Sequence, residues 1–523
     1  MSAPKVGKLF MFGFEGTEVT QEARALVQDM EAGALILFAS NCDTPAQVRE
    51  LTASLQHLAA ETHRSPLLIA IDQEGGAVQR ILSPATEWPG NMALGAAGDE
   101  QLTGRVGEAI ARELLAMGIN LNIAPVVDVN NNPDNPIIGI RSFGADPNRV
   151  AALGAAFIQG MQNGGVAACA KHFPGHGDTA QNSHITLPSV PHDLERLWRV
   201  ELPPFDAAAH AGVASIMTAH VTFPALEPES GLPATLSRRV ITGLLRNEMR
   251  FRGLIVADAL EMAAVADRFG VPQAAVRALQ AGADMVPVCS GFERQKDAFE
   301  AVSRACAEGR VPGDCVDRSA PCRAKVLLSS LSAPRPDLDV VGCAQHRALA
   351  QEVATRSVTL VRNRARLVPL ALSPDENVLA VWFKRLPRTP VSQEEQAAAG
   401  LSDALRQHHA LVSTMSVEID PTREEIAACL NQARKASAVV IGTLDAHLHP
   451  SQAELANALH REARKLIVIA AGYPADLRFF PQVDTYLACY CWRKVCLEAA
   501  AAVIFGKSEA RGCLPVEIPG VQE

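Results

Sequence analysis

Long apolar runs are missing from this 523-residue chain: no window approaches the roughly 20 apolar residues of a membrane-spanning helix. The N-terminus has no basic segment followed by an apolar leader, so a secretory signal is not expected. Basic residues are not in excess either, because the formal net charge is -9 at pH 7. These absences argue against nucleic acid and membranes as partners of this protein.

Two short patterns are also absent. None of the twelve cysteines forms a C-x-x-C pair, and no N-x-S/T acceptor for N-glycosylation occurs. Cysteines scattered through so long a chain are typical of buried free thiols in a reducing compartment. We therefore predict a cytoplasmic protein. No residue pattern indicates a cofactor or a metal, so neither is expected.

Short apolar runs recur through the first 290 residues and predict buried strands. The eight runs are Lys8–Phe14, Ala34–Ala39, Leu67–Asp72, Ile119–Val129, Val166–Phe173, Ser215–Val221, Leu254–Leu260 and Ala283–Cys289. Segments with helical periodicity lie between them, such as Pro147–Asn163, which Asp146 precedes as an N-cap. Eight strands alternating with helices predict an α/β fold, a (β/α)8 TIM-like barrel. A doubly wound open sheet is the alternative, but the chain has no early Gly-rich phosphate fingerprint.

The remainder of the chain predicts a second, smaller α/β domain. Residues 331–345 include the stretch LSAPRPDLDV, whose two prolines and charges are typical of a linker. We expect the barrel domain to occupy residues 1–330 and the second domain residues 346–523. Its apolar runs are Asn377–Phe383, Ala436–Leu444, Lys465–Gly472 and Thr485–Cys491. They alternate with helical stretches, so a largely parallel sheet covered by helices is predicted.

The stretch Lys171–Pro188 (KHFPGHGDTAQNSHITLP) concentrates groups that can do chemistry. It follows an apolar run and is rich in Gly, Pro and polar residues, so we predict a surface loop at a strand end. Its histidines, His172, His176 and His184, lie where catalytic groups are often found. Two simpler alternatives stay open. The histidines could hydrogen-bond the loop to itself, or bind zinc, although their spacing matches no compact ligand pattern.

Several other predicted strands also end in ionisable residues. These strand-end residues are Asp72, Asp128, Lys171 with His172, His220 and Asp258. A single carboxylate at a strand end is usually a helix cap or a turn former, but several that converge on one end of a barrel predict a site. We expect His220 to contact substrate there. Arg80 and Arg141 add bidentate donors able to bind hydroxyls or a carboxylate.

Ionisable side chains at the strand ends, in a chain with no motif for binding a cofactor, favour hydrolysis of a polyhydroxylated substrate. Glycoside hydrolysis with retention needs a carboxylate nucleophile and a separate acid/base. Asp258 is the natural nucleophile, because a strand end holds it rigidly. No second carboxylate on a loop matches it, but His184 can act as the acid/base, since an imidazole titrates near neutrality.

Five segments of the chain resemble glycoside hydrolase family 3, and specifically its two-domain β-N-acetylglucosaminidases of the NagZ type. They are Ile71–Arg80, Ala124–Gly144, Lys171–Pro188, Ile216–Val221 and Gly253–Met262. Ser357–Asn363 and, more weakly, Gly506–Val516 resemble the second domain of such proteins. The resemblance covers nearly the whole chain, and the Lys171–Pro188 motif is long and specific.

The resemblance implies a barrel hydrolase that releases terminal N-acetylglucosamine with retention, followed by an α/β sandwich. In the family's motifs the nucleophile corresponds to Asp258 and the acid/base to His184. The substrate contacts that it implies are Asp72, Arg80, Arg141, Lys171 and His172. A small carbohydrate is thus the expected partner, and the sequence says nothing about oligomeric state.

One position departs from the pattern: relatives commonly have Asp two residues before the catalytic histidine, where this chain has Asn182. An amide keeps the hydrogen-bonding shape but not the charge that stabilises the imidazolium. We therefore predict either a lower pH optimum or a slower enzyme. The alternatives are a β-N-acetylglucosaminide phosphorylase, a β-glucosidase, and a catalytically weakened relative that only binds sugar.

Overall fold

The computed structural model describes residues 6–63, 65–183, 186–312, 315–317, 319–320, 326, 334–384 and 398–521. The first ten strands are β1 (Phe10–Gly13), β2 (Ala34–Leu37), β3 (Leu68–Ile71), β4 (Gln73–Gly75), β5 (Val78–Gln79), β6 (Leu121–Asn122), β7 (Ala167–Phe173), β8 (Ser215–Thr218), β9 (Leu254–Val256) and β10 (Val286–Val288). Eight of them form one sheet in the order β10-β1-β2-β3-β6-β7-β8-β9. A parallel bridge between Val256 and Met285 joins its two ends into a barrel.

The predicted barrel is therefore confirmed, and each of the eight predicted runs contains one barrel strand. The inside of the barrel is a packed core rather than a pore, filled by buried side chains such as Met11, Leu68 and Met285. The remaining two strands, β4 and β5, pair antiparallel as a hairpin directly after β3. This hairpin was not predicted, because its residues are mostly polar and it is only a few residues long.

Helices follow the barrel strands along the chain. They are α1 (Gln21–Gln28), α2 (Pro45–His63), α3 (Asn91–Ala97), α4 (Glu100–Ala116), α5 (Pro147–Asn163), α6 (Leu194–Arg199), α7 (Pro203–His210), α8 (Ala263–Phe269), α9 (Val271–Ala281) and α10 (Phe292–Ala307), with a π-helix at Arg239–Glu248. The predicted start of α5 is confirmed: the side chain of Asp146 accepts a hydrogen bond from the Asn148 amide at 2.9 Å. None of the described helices is long and apolar enough to span a membrane.

The second α/β unit follows. Its helices are α11 (Ala344–Ser357), α12 (Ala398–Arg406), α13 (Arg423–Ala433), α14 (Pro450–Glu462) and α15 (Lys494–Ile504), and its strands are β11 (Thr359–Asn363), β12 (Val378–Phe383), β13 (Val412–Val417), β14 (Ala438–Thr443), β15 (Leu466–Ala470) and β16 (Thr485–Ala488). The sheet order is β11-β16-β15-β14-β12-β13, and only β11 runs antiparallel. The predicted, largely parallel sheet is confirmed.

The four predicted runs of this domain each contain a strand, but the two edge strands, β11 and β13, were missed. Both are partly exposed and carry polar side chains, so they lack the continuous apolar run of a central strand. The domain boundaries stay a prediction. Helix α11 begins at Ala344, inside the predicted linker 331–345, of which residues 331–333 lie outside the described residues.

Candidate active site

A cavity of about 610 Å³ lies at the carboxyl ends of the barrel strands. Five of the predicted site residues line it, namely Asp72, Arg141, Lys171, His172 and Asp258. They come from the ends of three different strands and one connecting loop, which is where barrel enzymes carry their active sites. The structure therefore brings together side chains that are up to 186 residues apart in the sequence.

Asp258 follows strand β9 and is held by the backbone around it. The Ala257 amide donates to the Met285 carbonyl at 2.9 Å, and the Leu260 amide donates to the Pro287 carbonyl at 3.2 Å. The amide of Ala259 donates to Asp258 Oδ1 at 2.8 Å. A carboxylate in the cavity wall is thus fixed in position by the neighbouring strand, as a nucleophile requires.

A network of four largely buried charges, three of which line the cavity, joins Asp72, Glu74, Arg141 and Lys171. Lys171 Nζ lies 2.7 Å from Asp72 Oδ1 and 2.6 Å from Glu74 Oε1. The guanidinium of Arg141 binds Glu74 through two hydrogen bonds, of 3.0 and 2.8 Å. Each cation is therefore paired with a carboxylate that sets its direction, and Asp72, Lys171 and Arg141 all reach the cavity.

Glu74 was not among the predicted site residues, although it lies in the same motif as Asp72. Burial alone would raise its pKa, but the charges of Arg141 and Lys171 outweigh burial and lower the pKa to about 2. Burial lowers the pKa of Lys171, but the charges of Asp72 and Glu74 outweigh burial and raise it. The sequence did contain a signal for Glu74. Asp72 and Glu74 are two residues apart on an extended segment, and the two-residue period of a strand places such side chains on the same face.

Asp128, a predicted strand-end residue with no assigned role, organises the histidines of the motif. It is fully buried, and its carboxylate accepts from the His172 amide at 3.1 Å and from the His176 amide at 2.7 Å. His172 Nδ1 lies 2.8 Å from Asp128 Oδ2. This contact leaves Nε2 of His172 as the nitrogen that can meet a ligand in the cavity.

For His176 the alternative given above applies, in which a histidine of the loop hydrogen-bonds the loop itself. Its Nδ1 lies 2.8 Å from Thr179 Oγ1, and its Nε2 lies 2.9 Å from Ser183 Oγ. Burial and the charge of His172 lower the pKa of His176 to about 4. His176 is therefore a neutral residue that shapes the loop.

This buried histidine predicts an acid-sensitive stability. The pKa of His176 is 6.5 in the unfolded chain and about 4 in the folded protein, so between these values only the unfolded chain binds the proton. The contribution of neutral His176 to the free energy of unfolding is therefore complete above pH 6.5 and is lost as pH falls from 6.5 to 4. Between pH 7.5 and 5 we expect the wild type to lose about 2 kcal/mol more unfolding free energy than His176→Gln, measured by urea denaturation. His57→Gln, at an exposed histidine, is the control. Equal losses in wild type and His176→Gln would contradict this assignment.

Arg80 and His220 are placed behind the cavity wall, and neither is among its lining residues. Arg80 lies 3.5 Å from Asp72 Oδ2 and over the ring of Phe38. His220 is fully buried, with Nδ1 3.0 Å from Thr235 Oγ1 and Nε2 2.9 Å from the Ala259 carbonyl. Both residues adjoin groups that line the cavity, so their geometry favours positioning over direct contact. Their predicted contact with substrate stays a prediction.

The loop that carries the predicted acid/base is described except for residues 184 and 185, so His184 lies outside the described residues. Asn182 is described, and its carbonyl accepts a hydrogen bond from the Thr186 amide at 2.9 Å. The expected surface loop begins later than predicted: strand β7 runs to Phe173, and residues 171–177 are buried.

The root of this loop holds an ion-pair cluster. Ligand atoms of Asp178, His192 and Glu201 lie within 4.8 Å of one another, a spacing that a metal ion could bridge. Arg196 already supplies a cation there, 3.2 Å from Glu201 and 3.8 Å from Asp178. His192 also bonds directly to Asp178. We therefore interpret the cluster as a set of ion pairs that anchors the loop.

Comparisons with known proteins identify the family of this chain. The family described as glycosyl hydrolase family 3 N terminal domain matches residues 2–323. Beta-hexosaminidase A of Pseudoalteromonas piscicida is 37% identical over 373 residues, which are 66% of this chain and 62% of that protein. A beta-hexosaminidase of Pseudomonas aeruginosa (strain LESB58) is 39% identical over 298 residues, 56% of this chain and 86% of that protein.

A solved structure resembles the whole chain. The glycoside hydrolase family 3 beta-N-acetylglucosaminidase from Paenibacillus sp. str. FPU-7 is 40% identical, with a TM-score of 0.93 over 99% of both chains. The two-domain arrangement is thus shared from end to end, whereas the chain spans less than two thirds of the Pseudoalteromonas protein. By its sequence, its barrel and its second domain, this chain belongs to glycosyl hydrolase family 3.

Proposed function

We propose that this protein is a retaining exo-β-N-acetylglucosaminidase, which hydrolyses terminal β-linked N-acetylhexosamine. The observation that carries the proposal is Asp258, a carboxylate held rigidly in the wall of a cavity that the paired charges of Asp72, Lys171 and Arg141 also line. The names of the relatives, beta-hexosaminidase and beta-N-acetylglucosaminidase, support the same chemistry.

The reaction takes two steps. Asp258 attacks the anomeric carbon, a carboxylate–carbon bond forms, and the glycosidic C–O bond breaks as His184 gives a proton to the leaving oxygen. Water then attacks the same carbon while His184 takes back a proton, and Asp258 leaves as the free carboxylate. Two displacements on one carbon retain its configuration.

The charge network serves to hold the sugar. Asp72, Lys171 and Arg141 present hydrogen-bond acceptors and donors to the cavity in fixed directions. This arrangement suits sugar hydroxyls, because each hydroxyl both donates and accepts hydrogen bonds. His172, oriented by Asp128, adds one ring nitrogen. Because these groups are preorganised by their own ion pairs, the substrate is oriented with little loss of side-chain entropy.

We place this activity in the cytoplasm. None of the eleven cysteines that the structure describes is in a disulfide, and seven of them are buried. This is the usual condition of thiols in a reducing compartment.

The direct test is release of p-nitrophenol from p-nitrophenyl β-N-acetylglucosaminide, with and without phosphate. We expect turnover that does not require phosphate, with N-acetylglucosamine as the product and its β-anomer formed first. A phosphate-dependent rate that yields a sugar 1-phosphate would replace hydrolysis by phosphorolysis. Binding of N-acetylglucosamine without turnover would leave only a sugar-binding protein.

Asn182→Asp tests the departure from the family pattern. The new anion should stabilise the protonated imidazole of His184, so we expect the alkaline limb of the kcat/KM profile to move up by about 1 pH unit or more. The rate should rise near neutrality, by a factor between a few and ~10⁴. Asn163→Asp, at an exposed residue of α5, controls for the added charge. An unchanged pH profile in Asn182→Asp would show that the amide costs the enzyme nothing.

A further inference from the structure

The second domain contacts two of the loops that build the cavity. The segments after strands β15 and β16 face the barrel. The Arg478 side chain donates a hydrogen bond from Nη2 to the carbonyl of Pro133 at 3.3 Å. Arg478 forms an ion pair with Asp134. Both contacts fall on the segment that leads from Asp128 to Arg141, so one wall of the cavity is held from outside the barrel.

Arg493 makes the corresponding contact on the other loop. This residue precedes helix α15 and is 2% exposed, although a guanidinium is rarely buried without a specific reason. Its Nε donates to the carbonyl of Gly76 at 3.0 Å. The two residues are 417 positions apart and belong to different domains.

Gly76 lies at the tip of the β4–β5 hairpin, in a backbone conformation that glycine adopts easily. Its φ is +59°, and a Cβ atom there would lie 3.0 Å from the Pro89 carbonyl oxygen. Its amide donates to the Trp88 carbonyl at 2.7 Å. The backbone of Gly76 is therefore held by two hydrogen bonds: its amide binds the barrel domain, and its carbonyl binds Arg493.

The hairpin and the residue before it carry both carboxylates of the charge network. Asp72 lies just before β4, Glu74 lies within β4, and Arg80 follows β5. Glu74 in turn holds both Lys171 and Arg141. A shift of the hairpin would thus move two carboxylates and loosen both cations that reach the cavity.

We propose that Arg493 is a positioning residue for the barrel site: by binding the Gly76 carbonyl, the second domain fixes the hairpin that presents Asp72 to the substrate and carries Glu74, the ion-pair partner of Lys171 and Arg141. The inference rests on the proposed glycosidase function for its assay. It gives the second domain a part in substrate binding without supplying a catalytic residue.

The test compares Arg493→Met and Arg493→Lys with wild type, using p-nitrophenyl β-N-acetylglucosaminide. Methionine keeps an unbranched stem but has no donor, and lysine restores a donor and the charge. We expect KM to rise about tenfold in Arg493→Met with a smaller change in kcat, because binding groups are displaced while Asp258 stays in place. Arg493→Lys should recover part of the loss. Arg511→Met, at an exposed arginine of the same domain, should behave as wild type.

A double-mutant cycle separates positioning from general destabilisation. If Arg493 acts through Glu74, the KM effects of Arg493→Met and Glu74→Gln should not add. Should the methionine variant fail to melt cooperatively, Arg493→Lys takes its place in the cycle. A wild-type KM in the Arg493 variants, or fully additive effects, would overturn the proposal. An inactive wild type would instead overturn the glycosidase function itself.

Discussion

Asp258→Ala is expected to lower kcat for p-nitrophenyl β-N-acetylglucosaminide by a factor on the order of 10⁴ to 10⁶, since it removes the group that forms the covalent bond. Stability should change little, because Asp258 is partly exposed and its strand is held by backbone hydrogen bonds. The measurement is steady-state kinetics beside a thermal melt. Asp267→Ala, at an exposed aspartate of the following helix α8, is the matched control.

Azide makes the test specific for a nucleophile. In Asp258→Ala the small anion can enter the space left by the carboxylate and attack the anomeric carbon from the same face. We expect partial recovery of turnover and an α-glycosyl azide, in which one displacement has inverted the configuration. Activity close to wild type in Asp258→Ala without azide would show that another group is the nucleophile.

Glu74→Gln is expected to damage both stability and activity, although Glu74 does not line the cavity. The amide leaves Lys171 and Arg141 buried with one counter-charge fewer, and breaking such a pair costs about 3–5 kcal/mol of unfolding free energy. With both cations displaced, we expect kcat/KM to fall by roughly 10²-fold. Urea denaturation and steady-state kinetics measure the two effects. Glu300→Gln, at an exposed residue of α10, is the control.

The pH dependence distinguishes Glu74 from a residue that merely fills space. Its pKa is about 2 in the folded protein and 4.5 when exposed, so its contribution to stability is complete above pH 4.5 and is lost as pH falls from 4.5 to 2. The Glu74→Gln variant should lack that loss. His176 acts in a different window, between pH 6.5 and 4, so the two effects can be separated. If the free energy of unfolding of Glu74→Gln fell with acid as much as that of the wild type, the ion-pair assignment would be wrong.

The sequence by itself determined the barrel and the strand ends. Apolar runs report burial locally, so eight strands, the cap at Asp146 and the positions of Asp72, Lys171 and Asp258 followed from short windows. The family resemblance, carried by contiguous motifs, was equally local. Elements without such a signal were missed: the polar hairpin β4–β5 and the partly exposed edge strands β11 and β13.

Only the tertiary structure decided which charges are partners. Glu74 binds Lys171 and Arg141, Asp128 binds His172, and Arg493 binds Gly76. These pairs are between 44 and 417 residues apart, and each depends on which strand ends are neighbours and on which way a side chain points. Neither the neighbouring strand ends nor the side-chain directions can be predicted from a short stretch of sequence. Both are set by closure of the barrel and by docking of the second domain against the barrel's loops.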